Sequence, residues 1–219
     1  MKAIVIGGTG ATGKSLIEEL LKDNRFSEVT VLLRKKINHS NPKIRQYIID
    51  FEQINDYSKL IQGDVAFSCL GTTLKIAGSQ EAQWRIDYDY QYNFAEIAKG
   101  NNISNFVLVS AIGANPNSSF FYTRMKGELE QSILNLGFEK TLIFQPSVLI
   151  RPNSDRFAEK VATTIMKGFT KIGILKKHKP THVTDLAKAM INGVFNVKKG
   201  NNYLQVKEIH DLTSNKMIP

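Results

Sequence analysis

Short apolar runs alternate along the chain with longer stretches in which apolar residues recur at helical spacing. The short runs predict strands buried between helix layers, because such strands are rich in Val and Ile on both faces. Strands are predicted at 2–7, 29–34, 43–50, 64–71, 105–110 and 140–150. Helices are predicted at 13–23, about 84–99, about 119–136, near 155–169 and near 184–196.

The order of these elements, β-α-β-β-β-α-β-α-β with short links, predicts an α/β fold with a doubly wound parallel sheet. Neither a repeat nor a linker interrupts the sequence, so we expect a single domain over 1–219. Within it, about 1–146 forms the sheet and its helices, and about 147–219 forms a smaller mixed segment. In the helix over about 84–99 the spacing turns five residues inward, namely Ile86, Tyr90, Phe94, Ile97 and Ala98.

Composition places the chain among ordinary globular proteins. It has 219 residues, of which 42% are hydrophobic and 22% charged. The single cysteine, Cys69, cannot form an internal disulfide, so nothing argues for an oxidising compartment. Apolar runs are too short for a membrane span, and the one before the first glycines is too short for a signal peptide. We therefore expect a cytoplasmic protein with no membrane partner.

The net charge of +9 is concentrated in the C-terminal part of the chain. Residues 160–219 hold 11 lysines and only three acidic residues. These lysines are scattered, apart from the cluster at 176–179, and aromatic side chains do not alternate with them as a nucleic-acid stacking surface requires. A solvated basic surface is therefore favoured over the alternative of a nucleic-acid site.

The glycine-rich stretch GGTGATGKS fits two phosphate-binding motifs at once. Gly8, Gly10 and Gly13 form G-x-G-x-x-G, which is typical of dinucleotide binding, while residues 8–15 form the G-x-x-x-x-G-K-S of P-loop proteins. Both motifs follow a strand and open a helix whose N-terminal amides face phosphate. A P-loop enzyme also needs a magnesium-binding carboxylate at the end of another strand, and Asp50 qualifies. The stretch alone leaves both alternatives open.

Three cations follow the second predicted strand, at Arg34, Lys35 and Lys36. At this distance past the glycines, an acidic residue would bind a ribose 2′-hydroxyl, whereas an arginine accommodates a 2′-phosphate. Given the glycines upstream, the cations favour NADP(H) over NAD(H). The alternative is a solvated basic turn.

Tyr122 and Lys126 lie one turn apart on a predicted helix. Both fall on its buried face together with Leu129, and a lysine that points inward favours a chemical role over a solvated one. Tyr203 and Lys207 have the same spacing, but their stretch has an extended pattern, which would separate them by about 13 Å. Only the first pair is a candidate site.

Ser110 ends the predicted strand 105–110, where ligands bind in open α/β sheets. The alternative role for its hydroxyl is to cap a helix or turn. No metal site is predicted, because Pro180 disfavours the helix that would align His178 with His182. Cys69 lies in an apolar strand and is assigned to the core.

Ser110, Tyr122 and Lys126 together resemble the catalytic set of the short-chain dehydrogenase/reductase superfamily. More closely, the chain is similar to its atypical branch, which is related to the Tat-interacting-protein oxidoreductases and NmrA-like proteins. The similarity runs nearly end to end, through GGTGATGKSL, FSCLGTT, IDYDYQYNFAEIAK, FVLVSAIGA, FYTRMKGELE and IHDL. It implies a Rossmann fold and selects the dinucleotide interpretation of the glycine stretch.

The resemblance implies NADPH-dependent hydride transfer between a small-molecule carbonyl and its alcohol. Tyr122 would be the general acid, Lys126 would lower the pKa of that tyrosine and bind the nicotinamide ribose, and Ser110 would orient the carbonyl. The chain departs from the family pattern at Asp87, where many members have a catalytic-site asparagine, and in FQPSV, where R-P-G is common. A catalytically weak NADP(H)-binding regulator or scaffold is the alternative function, and the substrate and oligomeric state stay open.

The cofactor contacts implied by the resemblance follow the order of the chain. The glycine turn would bind the pyrophosphate, Arg34 the 2′-phosphate, Asp50 the adenine and Pro146 the nicotinamide. The full implied set is Gly7, Thr9, Gly10, Ala11, Thr12, Gly13, Arg34, Lys35, Asp50, Leu70, Gly71, Thr72, Tyr122, Lys126 and Pro146.

Overall fold

A parallel sheet of seven strands forms the centre of the protein. The structure is a computed structural model that describes residues 1–150 and 180–218. The strands of the described residues are β1 (Lys2–Ile6), β2 (Glu28–Leu33), β3 (Ile44–Ile48), β4 (Val65–Ser68), β5 (Asn105–Val109), β6 (Lys140–Phe144), β7 (Leu149–Ile150), β8 (Thr181–His182) and β9 (Gly200–Leu204). The large sheet has the order β3-β2-β1-β4-β5-β6-β9, and β7 pairs with β8 separately. This order confirms the doubly wound α/β fold, with the change of direction between β1 and β4.

Helices cover both faces of the sheet, as a doubly wound fold requires. They are α1 (Ala11–Lys22), a 3-10 helix (Phe51–Leu60), α2 (Leu74–Ala77), α3 (Gln80–Trp84), a π turn (Arg85–Asp89), α4 (Tyr90–Gly100), α5 (Phe121–Asn135), α6 (Val183–Asn196) and α7 (Val206–Thr213). Helices α1, α6 and α7 contribute to one apolar core. The other core receives the 3-10 helix, α4 and α5.

Each central strand contributes to both cores, because successive side chains of a strand point to opposite faces. In β1, Val5 packs on the α1 side, whereas Ile4 and Ile6 pack on the α4 side. The same alternation holds in β4, where Phe67 and Ala66 face opposite cores. Burial on both faces explains why these strands are apolar throughout.

The predicted strand 140–150 is wrong in its extent. The large sheet contains only its first part, β6, and β7 starts after a break at residues 145–148. Pro146 lies in this break, and proline has no N–H with which to continue a strand ladder. The stretch from Tyr203 to Lys207 is also extended only as far as Leu204, since α7 begins at Val206.

The predicted inward face of the helix over about 84–99 is only partly correct. Phe94 and Ala98 are buried, but Ile86, Tyr90 and Ile97 are half-buried. Their places on the inner face are taken by polar residues, Asp87 and Gln91, which are fully buried. Gln91 is satisfied there, because its Oε1 accepts from Ser68 Oγ at 2.7 Å and its Nε2 donates to the Asp87 carbonyl at 2.7 Å.

The C-terminal predictions are tested only in part. The helix predicted near 184–196 is confirmed as α6, whereas the one near 155–169 lies outside the described residues. The division into segments of about 1–146 and 147–219 stays a prediction. Over the described ranges, no helix is long and apolar enough to cross a membrane, and no group of three or more His, Cys, Asp or Glu side chains could hold a metal ion.

Candidate active site

The glycine turn between β1 and α1 has the geometry of a close backbone approach. Gly7 has a φ of +80°, a conformation that side chains strongly disfavour. A Cβ at this position would lie 2.5 Å from the Cys69 carbonyl oxygen and 2.6 Å from the Leu70 amide nitrogen. The Gly10 amide closes the turn by donating to the Gly7 carbonyl at 3.0 Å.

The N-terminus of α1 is open toward the carboxyl edge of the sheet. Gly10 is the N-cap, so no side chain caps the first amides, and the first turn contains no acidic residue. The amides of Ala11, Thr12 and Gly13 therefore have no acceptor within the helix, and the helix dipole adds positive potential there. Such an end binds a phosphate or pyrophosphate.

The structure argues against the P-loop alternative. Helix α1 already begins at Ala11, so Lys14 is its fourth residue and lies exposed on the surface, not at the end of a long phosphate-wrapping loop. Asp50 follows β3, two strands away from β1 and hence about 10 Å across the sheet. Its carboxylate accepts from the Glu52 amide at 3.0 Å and caps the 3-10 helix.

The other predicted cofactor residues line the same edge of the sheet. Arg34 and Lys35 are exposed directly after β2, with Lys36 beside them. Leu70, Gly71 and Thr72 follow β4, which neighbours β1 on its other side. The predicted contacts thus follow the carboxyl ends of β2, β1 and β4 in spatial order, which is the order that an extended dinucleotide requires.

Lys126 is a buried cation on α5. Its side chain is 3% exposed, and its Nζ lies 3.4 Å from Asp87 Oδ1. Tyr122 lies one turn earlier on the same helix and is half-buried. Gly127, the next residue, lets α5 approach the loop at 115–116, since a Cβ there would lie 2.6 Å from the Asn115 amide nitrogen. The predicted helical pair and its inward-facing lysine are confirmed.

The pKa of Tyr122 differs from the expectation. The resemblance implied that Lys126, together with the positively charged nicotinamide, would lower this pKa; Lys126 does lower it, but burial raises it by more and leaves it above its ordinary value. Lys126 lowers the pKa of the phenol and Asp87 raises it, so the two charges oppose each other. Burial also disfavours the charge on Lys126, yet Asp87, Tyr122 and Glu130 together raise its pKa, and it stays a cation.

Ser110 directly follows β5 and is buried; its hydroxyl interacts with Glu130 and lowers the pKa of that carboxyl, but it makes no hydrogen bond of normal geometry to the residues that the structure describes. Its backbone amide donates to the Phe144 carbonyl at 2.8 Å. A capping hydroxyl would bond to a nearby amide, so the alternative of a cap is not supported. A buried hydroxyl without such a bond at this edge is available to a ligand.

A buried polar network beside Ser110 was missed by the sequence prediction. Glu130 on α5 accepts from Gln145 Nε2 at 3.0 and 3.1 Å, and Gln145 Oε1 accepts from Gln205 Nε2 at 3.0 Å. Burial raises the pKa of Glu130, against the lowering by Gln145, Ser110 and Lys126. Glu130 follows Lys126 by four residues, and that spacing could have identified it as inward-facing. Pro146, after Gln145, accepts from the Ile112 amide at 3.1 Å and so lies next to the loop that follows Ser110.

Asp87 connects the loop after β4 with Lys126 on α5, and it was not predicted as a site residue. Both its oxygens accept from the Thr72 amide, at 3.2 and 3.3 Å, and Oδ2 accepts from Gln83 Nε2 at 3.3 Å. With Lys126, this makes three donor groups around one carboxylate that is fully buried. Only the tertiary arrangement reveals this role, because the three donors come from separate parts of the chain.

Comparisons with known proteins agree with this site. A family model described as NAD(P)H-binding matches residues 7–139. Protein HTATIP2 of Rattus norvegicus is 39% identical over 150 residues, which are 67% of this chain and 62% of that protein. Protein FMP52, mitochondrial, of Candida albicans is 33% identical over 202 residues, which are 88% of this chain and 87% of that protein. The chain thus spans less than two thirds of the rat relative but most of the yeast one.

Solved structures share the fold at low sequence identity. MoeE5 in complex with UDP-glucuronic acid and NAD matches with a TM-score of 0.74 and 15% identity, covering 94% of this chain and 76% of that one. The UDP-glucose 4-epimerase of Thermotoga maritima with UDP-glucose matches with a TM-score of 0.71 and 14% identity, covering 98% and 82%. At these identities the similarity shows the Rossmann-type fold.

The comparisons also correct the expected location. Relatives from several yeasts have the name Protein FMP52, mitochondrial. They point to a mitochondrial location, so the expectation of a cytoplasmic protein is wrong. That expectation had relied on short apolar runs, and these carry no information about receptor-read targeting.

Proposed function

The chain belongs to the NAD(P)H-binding family, and on that premise we propose that it is an NADPH-dependent oxidoreductase that interconverts a small-molecule carbonyl and its alcohol. One observation carries the proposal. The tyrosine and buried lysine of α5 and the buried hydroxyl of Ser110 lie at the edge of the sheet where the open N-terminus of α1 is found. Phosphate binding and proton transfer are thereby combined in one site.

The residues present fit a dinucleotide. The uncapped amides of Ala11 to Gly13 would hold the pyrophosphate, and the absence of a side chain at Gly7 lets the turn pack directly on the backbone after β4. Arg34 and Lys35, exposed after β2, supply the positive charge that a 2′-phosphate needs and a plain ribose does not. This charge supports NADP(H) in preference to NAD(H).

The proton in the reaction would come from Tyr122. Its raised pKa means that the phenol is protonated at neutral pH, which is the state a general acid needs. Ser110, whose buried hydroxyl makes no hydrogen bond of normal geometry to the described residues, would donate a hydrogen bond to the substrate carbonyl. Lys126 would position the phenol of Tyr122 relative to the ribose of the cofactor. The nicotinamide, when bound, supplies the hydride.

The proposal is tested by Tyr122→Phe, which keeps the ring and removes the proton. A panel of aldehydes and ketones is first screened for NADPH oxidation by the parent. With a substrate in hand, we expect turnover to fall by about 10²–10⁴ in Tyr122→Phe, while the dissociation constant for NADPH measured by calorimetry stays within a few-fold.

Tyr92→Phe is the matched control. Its hydroxyl donates to Glu96 Oε1 at 3.3 Å on the surface of α4, so its loss should leave turnover unchanged. Equal turnover in the two variants would exclude Tyr122 as the acid. NADPH binding without turnover on any carbonyl would favour the alternative, a cofactor-binding regulator.

A further inference from the structure

Asp87 is a fully buried carboxylate in the middle of the candidate site. It lies in the π turn that connects α3 to α4, and a single inserted π turn often marks a functional position. Burial of a carboxylate is costly unless it is paired and hydrogen-bonded. Asp87 meets this condition, because it is paired with Lys126 and accepts hydrogen bonds from Thr72 and Gln83.

The donors around Asp87 come from three separate elements. Thr72 contributes its backbone amide from the loop after β4, Gln83 its side chain from α3, and Lys126 its ammonium from α5. Only Lys126 brings a charge, so the buried pair Lys126–Asp87 is neutral as a unit. The carboxylate thereby links Lys126 to the Thr72 amide in the loop after β4.

The neutral pair changes what Lys126 does to Tyr122. A lysine one turn away would, if alone, favour the phenolate and lower the pKa of the tyrosine. Two charged groups act on this phenol in opposite directions, Lys126 on its own helix and Asp87 on the facing π turn, while Glu130 acts on Lys126. Asp87 therefore offsets part of the effect of the cation on the phenol.

We propose that Asp87 is a positioning residue that fixes Lys126 against the loop after β4 and offsets its charge, so that Tyr122 serves as a proton donor for carbonyl reduction. This inference rests on the proposed function, in which the reaction is the reduction of a carbonyl. In that reaction the carbonyl carbon accepts a hydride from the reduced nicotinamide, which becomes oxidised. The carbonyl oxygen accepts the phenol proton, and the phenolate recovers a proton from water.

The electrostatic part of the proposal is tested on the full chain without cofactor or substrate. Tyrosines labelled with ¹³C at Cζ are titrated by NMR, and the Tyr122 signal is assigned by its absence in Tyr122→Phe. In Asp87→Asn the cation is no longer offset, and we expect the pKa of Tyr122 to fall at least one unit, a tenfold larger acid constant. Because burial outweighs the effect of Lys126, the pKa should nevertheless stay above that of free tyrosine, near 10, which is the value that an unfolded variant would show.

The matched control is Asp89→Asn, which removes a carboxylate from the same π turn. Asp89 is half-buried and lies outside the Lys126–Asp87 ion pair, so its loss should leave the Tyr122 titration unchanged. If Asp87→Asn leaves the pKa of Tyr122 where Asp89→Asn leaves it, or raises it, the proposal is overturned.

A double variant covers the case in which Asp87→Asn does not fold, because an unpaired buried cation is strongly destabilising. Asp87→Asn combined with Lys126→Gln removes both charges. Because Lys126 lowers the pKa of Tyr122 more than Asp87 raises it, this pKa should then lie at or above that of the parent. A clear fall would show that the cation is not the charge being offset and would contradict the proposal. These titrations involve no ligand, so their failure is distinct from a failure to bind or oxidise NADPH.

Discussion

Gly127 offers a quantitative test of how α5 is held in the site. The residue lies in the interior of α5, directly after Lys126, and is buried. A Cβ on Gly127 would lie 2.6 Å from the Asn115 amide nitrogen, and it would also clash with the Asn115 carbonyl carbon and the Pro116 nitrogen. All three atoms belong to the backbone, so they cannot move aside as the end of a flexible side chain could. Gly127→Ala should therefore push α5 away from the loop that follows Ser110.

The expected cost follows from two opposing effects. Replacing glycine by alanine inside a helix normally stabilises a protein by about 1 kcal/mol. Overpacking a filled contact costs about 1–3 kcal/mol, and a rigid backbone neighbour places this case in the upper part of that range. The net expectation is a loss of roughly 1–2 kcal/mol. For a chain of this size, the melting temperature should fall by roughly 2–8 °C.

Gly100→Ala is the matched control, measured by urea unfolding and calorimetry under the same conditions. Gly100 ends α4, and a Cβ there would meet nothing within 4 Å. Alanine should therefore stabilise the protein at this position by up to about 1 kcal/mol. The reasoning is refuted if Gly127→Ala is as stable as the parent or gains stability as Gly100→Ala does.

Two further predictions concern the cofactor and the buried acid. The parent should bind NADPH at least tenfold more tightly than NADH, about 1.4 kcal/mol, and Arg34→Asp should reverse this order, as measured by calorimetry. Arg45→Asp makes the same charge change near the other end of the strand pair, beside Glu28, and should leave the order intact. The pKa of Glu130 is higher in the folded than in the unfolded protein, so protonated Glu130 favours the folded state. This contribution to the free energy of unfolding is complete at pH values below the pKa in the unfolded chain. It is lost as the pH rises through the pKa in the folded protein. Glu130→Gln should remove this loss, so its advantage in unfolding free energy over the parent should grow with pH, and an advantage that does not change with pH would contradict the reasoning.

The sequence was sufficient for the fold and for the parts of the site that lie within one segment. Strands β1, β2, β4 and β5 are apolar throughout because both their faces are buried, and this pattern is visible without a structure. The glycine turn, the cations after β2 and the Tyr122–Lys126 pair each depend on neighbouring residues, so spacing alone located them. The similarity of motifs then selected one of the two phosphate-binding interpretations.

Where strand β6 ends and which residues of the predicted helix over about 84–99 face inward could not be inferred in the same way. Periodicity assigned Ile86 and Tyr90 to the inner face because apolar residues are normally the buried ones. The inner positions are instead occupied by Asp87 and Gln91, whose burial is stable only because Lys126, Thr72 and Ser68 bring hydrogen-bonding groups to them.

The pKa of Tyr122 shows the same limit in chemical terms. From sequence, Lys126 is the only charge known to lie near the phenol, and a single cation lowers the pKa of a tyrosine. The carboxylate that opposes this cation, Asp87, lies 35 positions before Tyr122 in the sequence. It reaches α5 only when α3 and α4 pack beside that helix. The sequence by itself located the glycine turn, the cations after β2 and the Tyr122–Lys126 pair. The tertiary structure decided the charge balance of the site, because electrostatic interactions depend on distances in space and on the exclusion of water, and neither is encoded in the spacing along a chain.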